Sequence, residues 1–385
     1  MNKFNWLNNG DTNILDDSHK LPHKITLFTR SLNKGGAERQ LLYLARGFQE
    51  LGHKVTVLTL YPPTLDWYPH DDLDVHHLGK KSRWDIIGFI KSYYLFLKHE
   101  KPDVLYSFLT VQNVIACLSN PFIRAKVVCG VRASDMDLSH YSKVDKILDW
   151  LEKTLFSITN VRIISNSYAG KKWITDHYPS LISKIDVIHN GLDLNTCVYS
   201  EEGRLKYRSL WDIQDDEILI GHVGRYDPMK DHGTFIQAAK LVLEQLPKAR
   251  FVCWGHGSSD YTNQIKAQAE QLNVPIIWHT ESNNPCYSAF DIYCSSSAFG
   301  EGHSNTLTEA MAFGIPCVAT DVGDAQYILG TFGSAVPKSN PQALATEIVN
   351  KISAAPKEIN TNQINWIKNK FGIKSLVNST LDKIR

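Results

Sequence analysis

No stretch of this 385-residue chain approaches the ~20 apolar residues that a membrane-spanning helix requires, so no helical span is expected. The first twenty residues, Met1 to Lys20, are rich in Asn and Asp and lack an apolar signal core; they read as a flexible lead-in, not as an export signal. No C-x2-C pair occurs among the seven cysteines, Cys117, Cys129, Cys197, Cys253, Cys286, Cys294 and Cys317, and several sit in apolar runs where a small hydrophobe would serve. An odd, scattered set points to reduced thiols and a cytoplasmic location. The fifteen histidines show no H-E-x-x-H or similar ligand spacing, so no metal and no cofactor is expected. Charge is also missing in the net: 41 basic against 40 acidic residues leave +1, which gives nucleic acid no global attraction. Any anionic ligand must be met by local groups.

What is present is a repeated strand, helix, strand rhythm. Lys24 to Thr29 reads as a buried strand, followed by a helix through Leu41, Leu42, Leu44, Ala45 and Phe48, then a strand at Val55 to Leu60. Further strands are expected at Val104 to Ser107, Lys126 to Cys129, Arg162 to Ser165 and Asp186 to His189. A second series follows a polar stretch from Leu192 to Glu217, with strands at Ile218 to Val223, Ala249 to Trp254, Ile276 to Trp278, Ile292 to Cys294 and Cys317 to Ala319. Helices are expected at Arg204 to Leu210, Thr234 to Leu246, Tyr261 to Leu272 and Ser304 to Phe313, and through Trp366 to Leu381. The fold class is therefore α/β, two Rossmann-like doubly wound domains facing across a cleft: residues 1–192, residues 193–370, and a terminal helix over 371–385.

Four motifs stand out in order. Ser31-Leu32-Asn33-Lys34-Gly35-Gly36-Ala37-Glu38-Arg39-Gln40 is a glycine loop after a strand, where Gly35 and Gly36 let backbone approach a ligand. It is not G-x-G-x-x-G, and the next strand ends Leu58-Thr59-Leu60-Tyr61 without an acid for a ribose, which argues against a dehydrogenase. Val187-Ile188-His189-Asn190-Gly191-Leu192-Asp193 closes the first series. Gly224-Arg225-Tyr226-Asp227-Pro228-Met229-Lys230-Asp231 puts a guanidinium and an ammonium in one loop, although its Asp-Pro and Lys-Asp steps are also good turn chemistry. Phe299-Gly300-Glu301-Gly302-His303-Ser304-Asn305-Thr306-Leu307-Thr308-Glu309 separates two carboxylates by seven residues, the first on a loop and the second inside a helix.

Together these resemble the retaining glycosyltransferases of the two-domain GT-B fold, in particular bacterial family 4, over most of the chain from Lys24 to Gly330. The resemblance implies that Glu309 accepts hydrogen bonds from the ribose of a nucleotide sugar and that Glu301 lies near the donor sugar. Arg225 and Lys230 would neutralise the leaving diphosphate in place of a metal ion. Ser304, Asn305 and Thr306 open the helix and can offer backbone N–H groups to the diphosphate. His303 stands where the family often has an apolar residue and is assigned at most a tuning of specificity. In the first series, Arg132 is a candidate for an acceptor phosphate or the donor diphosphate and Asp135 for orienting the acceptor hydroxyl, with a structural Arg132–Asp135 pair as the competing explanation. Trp254-Gly255-His256-Gly257 and Trp278-His279-Thr280 end strands and are expected to wall the nucleobase, through Gly255 and His279 among others; their aromatics serve equally well as core.

Lys80-Lys81-Ser82-Arg83-Trp84, with the apolar and aromatic run through Ile86, Ile87, Phe89, Ile90, Tyr93, Tyr94, Phe96 and Leu97, fits either a buried domain helix or a helix resting on an anionic bilayer. The expected activity is metal-independent retaining transfer of a sugar from a UDP-linked or related donor to a glycan or lipid-linked glycan, in surface polysaccharide or lipopolysaccharide assembly, at the cytoplasmic face of the inner membrane. A nucleotide-sugar epimerase of the same fold and a catalytically silent nucleotide-sugar-binding subunit are the alternatives.

Overall fold

Most strands bury nearly every side chain, on alternate faces, and so build two sheets whose central strands are covered on both sides. The computed structural model of the protein describes residues 23–33, 35–64, 69–80, 85–136, 142–280, 285–354 and 359–385. The expectations for residues 1–20, for Lys34, for 81–84 of the basic stretch and for Asp137 lie outside the described residues.

The chain divides into two units, one made of Met1–Ala133, Asp137–Gly191 and Ile373–Arg385, the other of Ser134–Met136 and Leu192–Gly372. In the first unit the order is β1 (Lys24–Thr29), α1 (Gly36–Glu50), β2 (Lys54–Thr59), β3 (Asp74–His77), α2 (Ile86–Glu100), β4 (Val104–Phe108), α3 (Thr110–Ser119), β5 (Lys126–Val131), α4 (Lys143–Ile158), β6 (Arg162–Ser165), α5 (Tyr168–His177) and β7 (Ile185–Val187). All pairings are parallel, in the order β3-β2-β1-β4-β5-β6-β7. Because side chains alternate, Ile25 and Leu27 of β1 face α1, while Phe28 joins Phe89, Tyr93, Phe96 and Leu97 of α2 on the other face.

The second unit runs α6 (Glu201–Leu210), β8 (Ile218–Val223), α7 (His232–Gln245), β9 (Ala249–Trp254), α8 (Ser259–Gln271), β10 (Ile276–His279), β11 (Ile292–Ser295), α9 (Asn305–Ala312), β12 (Cys317–Thr320), α10 (Ala325–Leu329), β13 (Ala335–Val336), α11 (Pro341–Ala354) and α12 (Thr361–Phe371). Its strands are parallel in the order β10-β9-β8-β11-β12-β13. In each sheet the order reverses once, between β1 and β4 and between β8 and β11. Loops leaving the carboxyl ends of such a strand pair diverge and open a crevice, the general ligand position in open α/β sheets.

The region read as helical from Trp366 to Leu381 contains a break. α12 stops at Phe371, Gly372 turns extended, and α13 (Ile373–Ile384) begins. Val377 then packs where a Cβ on Gly47 of α1 would sit, 2.3 Å from its methyl carbon, so α1 must carry glycine there. Gly191 is held in the same unit by two hydrogen bonds from one side chain: Gln40 Nε2 donates to Gly191 O at 2.8 Å, and Gly191 N donates to Gln40 Oε1 at 2.6 Å. Gln40 belongs to the glycine-loop motif and Gly191 to the closing one, and nothing local in either stretch announces the link.

Candidate functional site

Loops from β8 and β11, the strands at the order reversal of the second unit, carry the charged residues. The β8 loop is built by its own turn residues. Asp227 accepts from Met229 N at 2.9 Å, Pro228 starts a short 3-10 turn, and Asp231, at φ 44°, caps α7 by accepting from Thr234 N at 3.0 Å. Glycine is required where this loop meets the β9 loop: a Cβ on Gly255 would lie 1.8 Å from Gly224 O, and one on Gly257 2.0 Å from Tyr226 O. The close approach lays the Lys230 side chain across Gly224 and aims it at the β11 loop.

There Lys230 Nζ pairs with Glu301 Oε1, and Ser297 Oγ donates to the same oxygen at 2.9 Å. Burial alone would raise the Glu301 pKa, but the Lys230 ammonium, the Ser297 hydroxyl and the Arg225 charge together hold it below its ordinary value. Arg225 itself is exposed. The loop backbone is fixed by neighbours in the same unit: Ser134 Oγ donates to Glu301 O, Gly300 N donates to Asp135 O at 3.3 Å, and Gly300 takes φ 75°. A Cβ on Gly323 would meet Glu301 O at 2.5 Å, closing the other side.

Glu309 lies on α9, 8% exposed, and accepts from Tyr287 O–H at 2.7 Å through Oε2. Ser304 is the N-cap of α9 but makes no side-chain cap bond. Tyr293 O–H donates to Thr306 Oγ1 at 2.8 Å, fixing the first turn. Thus one eight-residue helix carries both an anion-attracting start and a carboxylate one turn further in.

Other sequence candidates fall differently. His303 is turned into the wall beneath α9: its Nε2 is 2.8 Å from Thr308 Oγ1, whose proton goes to Ser304 O, and its ring lies 5.0 Å from Phe371. Gly255 N donates to His279 O, while the His279 ring packs with Trp254 at 4.2 Å and accepts from Trp211 Nε1 at 3.4 Å. Trp254 is 2% exposed and belongs to the core.

Gly35, Gly36 and Arg132 belong to the first unit. Gly35 is the N-cap of α1. Arg132 Nη2 donates to Tyr106 O–H at 3.0 Å and Nη1 to Asn190 Oδ1 at 3.4 Å, and the guanidinium lies 4.1 Å from the centre of the Phe108 ring. The Arg132–Asp135 ion pair entertained from sequence is absent among the described residues. The tyrosine and asparagine take the guanidinium instead, and Asp135, exposed at φ 33°, engages through its backbone carbonyl. Sequence reasoning missed Tyr287, Ser297, Tyr293 and Ser134, ordinary residues whose roles depend on which strands are neighbours.

Comparison with known proteins agrees with this architecture. The model of Glycosyltransferase Family 4 matches residues 34–196, and that of Glycosyl transferases group 1 matches 217–353. A Bacillus subtilis protein, spore coat protein SA, is 24% identical over 84% of this chain and 87% of its own length. A Campylobacter jejuni relative, an α-1,4-N-acetyl-D-galactosaminyltransferase named for a diNAcBac-PP-undecaprenol-linked acceptor, is 22% identical over 75% of this chain and 77% of its own. Anabaena HepE, crystallised with UDP-glucose, superposes with TM-score 0.80 at 19% identity, covering 94% of this chain and 98% of that one. One model covers the first sheet after β1 together with its closing motif, the other all six strands of the second, and the chain belongs to the family 4, group 1 glycosyltransferases of the GT-B fold.

Proposed function

We propose that the protein is a retaining glycosyltransferase that moves a sugar from a nucleoside-diphosphate donor, UDP-linked, to a glycan or lipid-linked glycan during surface polysaccharide or lipopolysaccharide assembly. The observation that carries this reading is the Lys230–Glu301 pair beside Arg225 at the strand reversal of the second unit. As the bond from the anomeric carbon to the diphosphate oxygen breaks, its electron pair stays on the phosphate, and charge grows where Arg225, Lys230 and the start of α9 can meet it. The acceptor oxygen bonds to the anomeric carbon on the face the diphosphate leaves, and its proton passes to a phosphate oxygen. Glu301 receives the sugar hydroxyls or the developing positive charge, and Glu309, oriented by Tyr287, accepts from the ribose hydroxyls. Fixed cations supply the neutralisation that a divalent ion gives elsewhere. The first unit takes the acceptor, with Arg132 as its anion-binding group.

The relative named for an undecaprenol-linked acceptor supports a lipid-linked substrate. Among the described residues no helix is long and apolar enough to cross a membrane. Peripheral contact with an anionic inner-membrane surface is supported by α2, which buries Phe89, Tyr93, Phe96 and Leu97 yet leaves Ile87, Ile90 and Tyr94 86%, 56% and 57% exposed. α4, in the same helix layer, exposes Val144, Ile147 and Trp150. Sedimentation with phosphatidylglycerol vesicles tests this: retention that survives Ile87→Ser with Ile90→Ser removes α2 from the contact.

The transfer itself is tested by screening UDP, GDP and ADP for thermal stabilisation, then assaying nucleotide release from the matching sugars with and without acceptor. Acceptor-dependent release with retained anomeric configuration is expected. Binding without transfer across a broad panel would support the silent binder, and interconversion of free nucleotide sugars the epimerase.

A further inference from the structure

The second unit also buries a cluster that the transfer chemistry does not use. His222 on β8 and Cys253 on β9 are register partners, so their side chains leave the same face of the sheet. His232 is the first residue of α7. One ring nitrogen of each histidine and Cys253 Sγ all lie within 4.8 Å of one another, and the three residues are 2%, 0% and 0% exposed.

Hydrogen bonding fixes the tautomer of one imidazole. Ser296 Oγ has a single proton and lies 2.8 Å from Lys230 O and 3.0 Å from Asp231 O, which can only accept. The hydroxyl therefore donates to them and accepts from His222 Nε2, 3.1 Å away. The His222 proton is on Nε2, and Nδ1 presents a buried lone pair with no partner among the described residues. Neither nitrogen of His232 has a hydrogen-bond partner among them. The surroundings are aromatic: Phe235 lies 5.0 Å from the His222 ring, and Tyr226 5.1 Å from that of His232. Orphaned imidazole nitrogens in such a pocket are costly unless something satisfies them.

We infer that His222, His232 and Cys253 form a zinc site, with His222 Nδ1, one nitrogen of His232 and the Cys253 sulfur as ligands. Two imidazoles and one sulfur suit a borderline-soft ion over magnesium or calcium, which want oxygen. Binding exchanges the Cys253 S–H bond for S–Zn, and the proton leaves to solvent. Ser296 is the outer partner that orients His222. The ligands bracket the loop Gly224–Asp231: His222 precedes it, His232 follows it, and Cys253 ties both ends to β9. The ion is a staple for the segment that bears Arg225 and Lys230, and no step of sugar transfer passes through it.

The full chain, produced with zinc in the medium, is expected to hold close to one zinc per molecule by elemental analysis, and Cys253→Ser and His232→Gln to lose most of it while keeping native circular dichroism. Should either variant fail to fold, the parent chain decides: denatured in chelator and refolded with cobalt(II), it develops the thiolate-to-cobalt charge-transfer band, and zinc displaces that band. Refolding with zinc releases one more proton per chain than refolding without it. A folded parent chain that takes up neither zinc nor cobalt overturns the inference and makes the pair neutral core histidines. Equal zinc in the parent and in a folded Cys253→Ser, His232→Gln double variant overturns it too, by placing the ion elsewhere.

Discussion

Tyr287 O–H donates to Glu309 Oε2 at 2.7 Å, bridging the β10–β11 connection to the middle of α9. The bond orients the Glu309 carboxylate within α9. Glu309→Ala is expected to weaken nucleotide-sugar binding by about 1–3 kcal/mol, the cost of leaving hydroxyls without their charged acceptor. Calorimetry decides it: unchanged donor affinity in a folded mutant removes Glu309 from the site. Tyr287→Phe, which keeps the ring and loses only the hydroxyl, should fall between parent and Glu309→Ala.

Arg225 and Lys230 should matter most as the departing diphosphate gains charge. Replacing either with Ala is expected to lower kcat/KM by roughly 10²–10³-fold, with the larger part in kcat. A folded double mutant that still transfers sugar at near-parent rates refutes the assignment.

Turnover is expected to need no added divalent ion. Brief EDTA treatment followed by assay separates this from any ion held inside the protein. Abolition by chelator with recovery on adding Mg²⁺ or Mn²⁺ would defeat the reading of fixed cations at the diphosphate.

The Glu301 carboxyl sits below its ordinary pKa of 4.5 because Lys230, Ser297 and Arg225 outweigh burial. Its folded value is the lower one, so the unfolded chain takes up the proton first, and the stabilisation is complete above the unfolded value. It fades as pH falls from about 5 through the folded value. Urea midpoints measured across that acidic window should therefore drop less steeply for Glu301→Gln than for the parent. Parallel slopes would show that the ion pair is not what acid disrupts.

Gln40→Ala removes both partners of the buried Gly191 peptide groups. A loss of about 1–3 kcal/mol is expected, since one donor and one acceptor are left dry. Hydrogen exchange at Gly191 N–H should accelerate together with the fall in melting temperature; unaltered exchange would mean that the glutamine is dispensable.

How much of this could be read beforehand follows from burial. β8, Ile218–Val223, and β9, Ala249–Trp254, are mostly apolar runs, broken by His222 and Arg250, as doubly covered parallel strands tend to be, and their bounds are plain in the sequence. β3, Asp-Val-His-His, is a half-wet edge strand with no such pattern, and it was invisible. The acids and bases of the candidate site were legible because their motifs resemble those of the family, in order along the chain. Their partners were not. Lys230 and Glu301 are 71 residues apart, and Tyr287 and Glu309 22, distances bridged only once β8 and β11 are known to be neighbours. His222, His232 and Cys253 escaped for the same reason: ligand spacing along a chain detects a helix or a finger, not two adjoining strands and a helix start.

α13 carries a consequence for biosynthesis. Ile373, Leu376, Val377, Leu381 and Ile384 fill the same core as Leu41, Leu44, Ala45 and Phe48 of α1, yet they leave the ribosome only after the whole of the second unit. The core between the first sheet and α1 must wait for its last helix while every residue from Leu192 to Gly372 is translated. A stop codon at position 373 would therefore take from the earlier-made unit the last helix of its core while leaving the residues of the later one intact.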